Sequence, residues 1–314
     1  MLTSQVIGPR RSEVVELDDL VPSDSQVLVD VLACGVCASD RRPWRELGTP
    51  DAPIRLGHEM SGRITAVGSS TLGWRVGDII TGLGGDGFSS QALMDSNAIL
   101  PVPAGVDPAL AIGEPLAVLV EALSRCGTIL GARVAVVGLG FMGLGMIQLV
   151  RRMAPSILVG IDPNPGARAH GLAGGAHEVY HPDELPAAYR STTSATNDQR
   201  FDLVLEITGV PSGMQLSAEM VKPYSTLSII GYHPGGVPLV DSTLWMKAVT
   251  VVNGFSPDRR RTMLAMADGL DLVARRQFDY APLITNRFAL DQVDEAYELM
   301  HANPAEFVKS VIVP

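Results

Sequence analysis

Cys37, His58, Glu59 and Glu114 are residues whose types together define a chemistry. A thiolate, an imidazole and one or two carboxylates are the donors of an open catalytic zinc site, in which one coordination position is kept for a reacting oxygen. Cys37 closes the spacing Cys34-Gly35-Val36-Cys37, which admits three readings. It is a redox pair, or half of a four-cysteine zinc site, or one ligand, Cys37, beside a packing residue, Cys34. The chain has three cysteines, the third being Cys126, so there is no second CxxC and no disulfide framework. The third reading is preferred. His58 stands in Gly57-His58-Glu59; a histidine in such a setting, taken alone, is more often a structural residue.

A second chemistry lies between Arg133 and Asp162. Val134 to Val137 is a short apolar run suited to a strand buried on both faces. Gly138-Leu139-Gly140-Phe141-Met142-Gly143 follows at once, then helical spacing over 141–153 ended by Pro155, then a second apolar run over 157–161 closed by Asp162. Each glycine has a job at a dinucleotide. Gly138 permits the tight turn, Gly140 lets the backbone approach a pyrophosphate, and Gly143 lets helix and strand pack closely. The helix N-terminus offers unpaired N–H groups to the phosphates. Asp162, about 20 residues on, can accept bonds from the adenosine ribose hydroxyls. Its charge repels a 2′-phosphate, and Pro163 and Asn164 supply no cation, so NAD is favoured over NADP. Arg168 is placed either to stack on adenine or meet a phosphate, or simply to lie in solvent.

These sites need scaffolds. A chain of 314 residues is expected to form two domains. Short alternating strands are expected at 13–17 and 26–32, and a β-rich stretch follows at 61–68 and 74–80, suggesting a small barrel-like fold. Further strands are expected at 201–207 and 226–230, with an edge strand over 244–254, while 171–200 reads as a surface loop or frayed helix containing the polar run Ser191 to Asn197. The formal net charge of −10 argues against a nucleic-acid partner. No stretch is apolar enough to span a membrane and the N-terminus has no apolar signal core, so a cytoplasmic protein is expected.

The ordered set Gly35-Val36-Cys37-Ala38-Ser39-Asp40, Gly57-His58-Glu59, Arg75-Val76-Gly77-Asp78, Glu114-Pro115-Leu116-Ala117, the glycine turn, Leu205-Glu206-Ile207-Thr208-Gly209, Ser228-Ile229-Ile230-Gly231 and the segments 283–285 and 296–300 resembles the medium-chain dehydrogenases/reductases. The resemblance is to the zinc-dependent alcohol dehydrogenase type, nearest its sorbitol and threonine dehydrogenase branch, and spans nearly the whole chain. It implies an α/β fold: a GroES-like, β-rich catalytic domain (1–116 and 256–314) and a doubly wound, parallel-sheet Rossmann domain (117–255). It implies a hydride transfer between a secondary alcohol or polyol and NAD, giving the ketone. Cys37, His58 and Glu114 fall on the zinc ligands, with Glu59 beside the metal; which carboxylate binds directly stays open. Ser39 falls on the hydroxyl that relays the substrate proton, and Asp40 on a brace of the site. Gly209, Ile230 and Gly231 fall on the cofactor side, and Lys309 resembles a residue that reaches cofactor phosphates. The loop Gly231 to Gly236 is placed to touch the nicotinamide side, and His233 within it is either a substrate contact or, the safer expectation, a plain loop histidine. A homodimer or homotetramer acting on a small alcohol or ketone is expected.

Three features depart from that pattern. The segment 79–100 carries no cysteine where relatives hold a structural zinc, so at most one zinc per chain is expected. Arg42 stands where a histidine often ends the proton relay, and arginine is a poor proton acceptor. Arg41, Arg42, Arg45 and Arg55 lie near the substrate end, as a carboxylate or phosphate receptor or as a solvated basic face. Trp44, Phe88, Trp245 and Phe255 are the aromatics available to shape a pocket. Two other readings are a zinc-free, NADPH-dependent quinone or enoyl reductase of the same fold, and a non-enzymatic cofactor-binding protein.

Overall fold

The computed structural model describes residues 1–195, 199–236 and 242–314. The chain forms two compact units. One comprises 1–117, 259–303 and 307–314; the other comprises 118–258 and 304–306.

The first unit is built on β1 (Leu2–Gly8), β2 (Arg11–Glu16), β3 (Gln26–Gly35), the short α1 (Arg41–Glu46), β4 (Glu59–Val67), β5 (Ile79–Gly82), β6 (Gln91–Asp95) and β7 (Ile99–Pro101). The division between the units falls inside α2 (Gly113–Ser124), after Ala117. In the second unit come β8 (Arg133–Val137), α3 (Phe141–Arg151), β9 (Ile157–Ile161), α4 (Pro165–Ala173), β10 (Glu178–Tyr180), β11 (Phe201–Glu206), α5 (Pro211–Met220), β12 (Val221–Ile229), α6 (Ser242–Met246) and β13 (Thr250–Asn253). The chain then re-enters the first unit with α7 (Arg259–Ala274), β14 (Asn286–Phe288), α8 (Val293–Ala302) and β15 (Ser310–Ile312).

In the first unit β14-β15-β3-β4-β5-β7 form one sheet, with β6 added beside β3. β3 is the central strand, and its residues 27–35 are largely sealed from water. Its core includes Val29, Trp44, Met60, Ile64, Phe88 and Tyr297. Trp44 and Phe88 are therefore core residues and not pocket aromatics: Trp44 stacks on Tyr297 at 5.0 Å between centroids and Phe88 meets it edge-on. Trp245 and Phe255 are exposed.

In the second unit the order is β10-β9-β8-β11-β12-β13, and every neighbouring pair is parallel. Strand order reverses beside β8, which places a crevice at the carboxyl ends of β8 and β11. β8 is nearly all apolar and buried, as a strand covered on both faces requires. The expectation of a loop over 171–200 is corrected: α4 ends there, β10 forms the sheet's edge, and two short 3-10 turns follow at Pro182–Glu184 and Ala187–Tyr189. Three residues make too short a strand to give a clear alternating pattern. Thr196 and Asn197 of the polar run lie outside the described residues. The expected edge strand over 244–254 is half helix, α6, and half strand, β13. No helix among the described residues is long and apolar enough to cross a membrane.

Candidate active site

Strand register assembles the metal-ligand candidates. β3 and β4 run antiparallel with Gly35 opposite Glu59 and Cys34 opposite Met60. Cys37, just past the end of β3, therefore meets His58 and Glu59 at the start of β4. One donor atom from each of Cys37, His58 and Glu59 lies within 4.8 Å of the others. Tetrahedral zinc with bonds of 2.0–2.3 Å needs donors about 3.3–3.8 Å apart, so small side-chain adjustments suffice. Gly35 is required by this closeness, since a Cβ there would stand 2.0 Å from Glu59 Oε2.

The neighbours set roles for these donors. Asp40 Oδ2 lies 3.1 Å from His58 Nδ1, which leaves Nε2 for a metal. Burial disfavours charge on His58, but the bonds to Asp40 and Cys37 outweigh it and push its pKa up to about 11. Ser39 Oγ donates to Cys37 Sγ at 3.2 Å. Cys34 is fully buried, and burial raises its thiol well above the usual range. It packs under Gly57 and Gly87, whose added Cβ atoms would meet its sulfur at 3.0 and 2.7 Å. An inert, sealed Cys34 is a packing residue.

Glu114 sits in the first turn of α2 and is not part of the three-residue donor cluster. Its position is fixed from behind. Thr81 Oγ1 accepts from Gly113 N–H at 2.8 Å and donates to Met60 O at 2.9 Å, while Tyr280 OH donates to Ile112 O at 2.9 Å. Burial first, and then the charge of Glu59, push the Glu114 carboxyl up to about 7. Thr81 and Tyr280 carry no sequence signal for this duty, because the contacts span dozens of residues.

Lys309, expected at cofactor phosphates, pairs here with Glu59. β15 runs beside β3 with Val311 opposite Gly35, which delivers the preceding Lys309 to Glu59. Its Nζ lies 2.6 Å from Glu59 Oε2, and both side chains are almost fully buried. Burial pulls the ammonium pKa down, but Glu59, Cys37 and Glu114 reverse this and raise it. A lysine inside the apolar run Phe307 to Val313 was the available signal: a buried charge needs a partner.

Of the four arginines, Arg42, Arg45 and Arg55 are exposed and Arg41 is half-buried. Arg42 pairs with Glu46 at 2.9 Å and Arg55 with Asp86 at 2.9 Å.

In the second unit each glycine of the turn meets a different test. Gly138 has φ +95. A Cβ on Gly143 would stand 1.9 Å from Gly138 O, so helix and strand pack there as expected. A Cβ on Gly140 would meet nothing within 4 Å, so that N-cap of α3 faces open space. Phe141 and Met142 begin the helix, Phe141 buried and Met142 half-buried. Asp162 Oδ2 accepts from Leu139 N–H at 2.8 Å and Oδ1 from Asn164 N–H at 2.7 Å, which locks the acid to the turn. Arg168 Nη1 donates to the carbonyls of Asp162 and Pro163, both at 2.8 Å. Gly209 (φ +68) and Gly231 serve close approach, since a Cβ on either would lie 2.4 Å from the other loop's backbone. Ile230 is half-buried beside them.

A donor cluster for one metal ion on a β-rich unit, and a glycine turn on a six-stranded parallel sheet, define a zinc-binding, nicotinamide-dependent dehydrogenase. Residues 23–104 match the family model of the alcohol dehydrogenase GroES-like domain, and 142–270 that of the zinc-binding dehydrogenases. The chain belongs to the medium-chain dehydrogenase/reductase superfamily, among its zinc-binding alcohol dehydrogenases, oxidoreductases that act on hydroxyl donors. It is 25% identical to L-threonine 3-dehydrogenase of Pyrococcus horikoshii over 326 aligned positions, covering 93% of this chain and 92% of that protein. Its fold is similar to that of galactitol-1-phosphate dehydrogenase from Escherichia coli, with TM-score 0.85, 23% identity and full coverage of both chains. It is equally similar to a zinc-binding dehydrogenase of Sinorhizobium meliloti bound to NADP, with TM-score 0.85, 23% identity and coverage of 100% of this chain and 99% of that one.

Proposed function

We propose that this protein is a dehydrogenase with one zinc per chain that moves a hydride between a secondary alcohol or polyol and NAD, giving the ketone. The observation that carries the reading is the Cys37–His58–Glu59 donor cluster. The residues fit the metal. Cys37, Glu59, Glu114 and Asp40 crowd acidic groups around Lys309 and a histidine whose Nε2 remains available, a setting short of positive charge. Cys37, His58 and a carboxylate from Glu59 or Glu114 would hold the ion. A zinc so held supplies Lewis acidity that lowers the pKa of an alcohol oxygen.

This chain's own groups do the rest. Asp40 keeps His58 in one tautomer and orientation. Ser39, exposed and hydrogen-bonded to Cys37, takes the substrate proton at Oγ and hands it outward. Arg42 cannot accept that proton, so the relay leaves Ser39 through water. Gly140 leaves room for the pyrophosphate, and α3 offers it N–H groups. Asp162 supports NAD over NADP: its carboxylate repels a 2′-phosphate, and Arg168 is committed to backbone carbonyls. The exposed edge strand β13 gives a second copy a place to pair, in support of a homodimer.

The test is zinc content by plasma emission on protein purified without added metal, with Cys37→Ser alongside, and NAD reduction by a panel of secondary alcohols. About one zinc per chain, lost in the variant together with turnover, is expected. Zinc-free protein that turns over NADPH with enones or quinones would overturn the reading in favour of a reductase. Cofactor binding with no turnover of any alcohol or ketone would leave a binding protein.

A further inference from the structure

Glu206 and His233 form a buried carboxylate–imidazole pair for which the reaction described above has no use. Glu206 ends β11 and is fully buried. Its Oε1 accepts from Thr208 N–H at 2.8 Å, Gly209 N–H at 3.2 Å and the Thr208 hydroxyl. Its Oε2 lies 2.8 Å from His233 Nε2, and the imidazole is 7% exposed. A carboxylate already gathering donors is an acceptor, so Nε2 donates to it, and in that tautomer Nδ1 is the ring's acceptor. Among the described residues Nδ1 has no hydrogen-bond partner, yet it is not sealed away with the buried unpaired atoms; it is the ring's open edge. Gly231 is needed for this arrangement, because a Cβ there would stand 2.9 Å from Glu206 Oε2.

Topology says what that edge faces. Asp162 follows β9, on one side of the glycine turn of β8; Glu206 ends β11 and His233 follows β12, on the other. A dinucleotide with its pyrophosphate on the turn and its adenosine ribose at Asp162 lays its other half across the ends of β11 and β12. We infer that His233, oriented by Glu206, accepts a hydrogen bond at Nδ1 from the nicotinamide mononucleotide half of the cofactor. The inference rests on the dinucleotide reading above. The donor is a ribose hydroxyl or the carboxamide N–H, which are the hydrogen-bond donors of that half. Glu206 acts through His233 and is a positioning residue.

The experiment is calorimetric titration of wild type, His233→Phe and Glu206→Gln with ADP, ADP-ribose and NADH, read as Kd without turnover. Both variants are expected to weaken NADH about 5- to 10-fold, the worth of one hydrogen bond, and to leave ADP within about twofold. Loss shared by ADP-ribose identifies a ribose hydroxyl as the donor; loss confined to NADH identifies the carboxamide. Unchanged NADH affinity in His233→Phe overturns the inference, and so does equal weakening of ADP, which marks general damage to the sheet edge. Wild-type protein that binds none of the three would instead overturn the dinucleotide reading.

Discussion

Lys309→Met removes one member of an ion pair whose Nζ–Oε2 distance is 2.6 Å and whose side chains are 7% and 2% exposed. Water cannot replace the lost partner, so Glu59 is left as a buried charge or must take up a proton. Removing one partner of such a pair costs about 3–5 kcal/mol. For a domain of 150–250 residues, 1 kcal/mol moves Tm by about 2–4 °C, so a drop of about 6 °C or more is expected for the first unit's transition. The assay is scanning calorimetry on zinc-free protein for Lys309→Met, Glu59→Gln and the double variant. The two single losses should not add, with a coupling of at least about 1–3 kcal/mol. Lys309 is also raised in pKa, so its stabilisation is complete below the unfolded lysine value near 10.5 and fades as pH climbs through its higher folded value. A Lys309→Met protein that keeps its Tm but binds NADH and ADP more weakly would refute the argument and return Lys309 to the phosphates.

Four other outcomes follow from the geometry. Gly143→Ala drives a Cβ to 1.9 Å from Gly138 O and should destabilise the second unit by about 1–3 kcal/mol in urea unfolding. Gly140→Ala meets nothing within 4 Å, so it should change stability by less than about 1 kcal/mol while weakening ADP and NADH in titrations; equal effects of the two would show that both glycines serve packing. His58, its pKa pushed up to about 11 without zinc, must lose its proton to bind the metal, so zinc affinity measured against a competing chelator should rise at least about tenfold per pH unit between roughly pH 6 and 8. A flat profile would show that His58 is not displaced. Glu114 runs the other way: with a folded pKa raised from 4.5 to about 7, it holds a proton that the unfolded chain has lost, so stability falls as pH rises across that window. Glu114→Gln should flatten Tm against pH between those values in zinc-free protein and lower zinc affinity at least about tenfold.

What the sequence disclosed, and what it withheld, divides by range. The turn Gly138 to Gly143 and the acid at Asp162 are local, and their strand, helix and second strand formed almost residue for residue, because period and glycine placement are properties of adjacent residues. Cys37 and His58 were singled out as donors by type, and the antiparallel register of β3 on β4 is what brings them within reach. The partner of Lys309 was hidden for the same reason: only the pairing of Val311 with Gly35 delivers it to Glu59, and nothing near it in sequence encodes that pairing. His233 shows the limit most sharply. A histidine in Gly231-Tyr232-His233-Pro234 reads as a plain loop residue, and Glu206 entered only as part of the motif Leu205 to Gly209, with no role of its own. Each is unremarkable apart, and together they are costly to bury unless paired. The parallel order β11-β12 sets their two strand ends side by side, and two glycines let the loops close to contact. A pair of this kind, assembled from residues 27 positions apart and kept at the ligand-binding edge of the sheet, is better explained by a ligand than by stability, since apolar residues would fill the same space with no desolvation to offset.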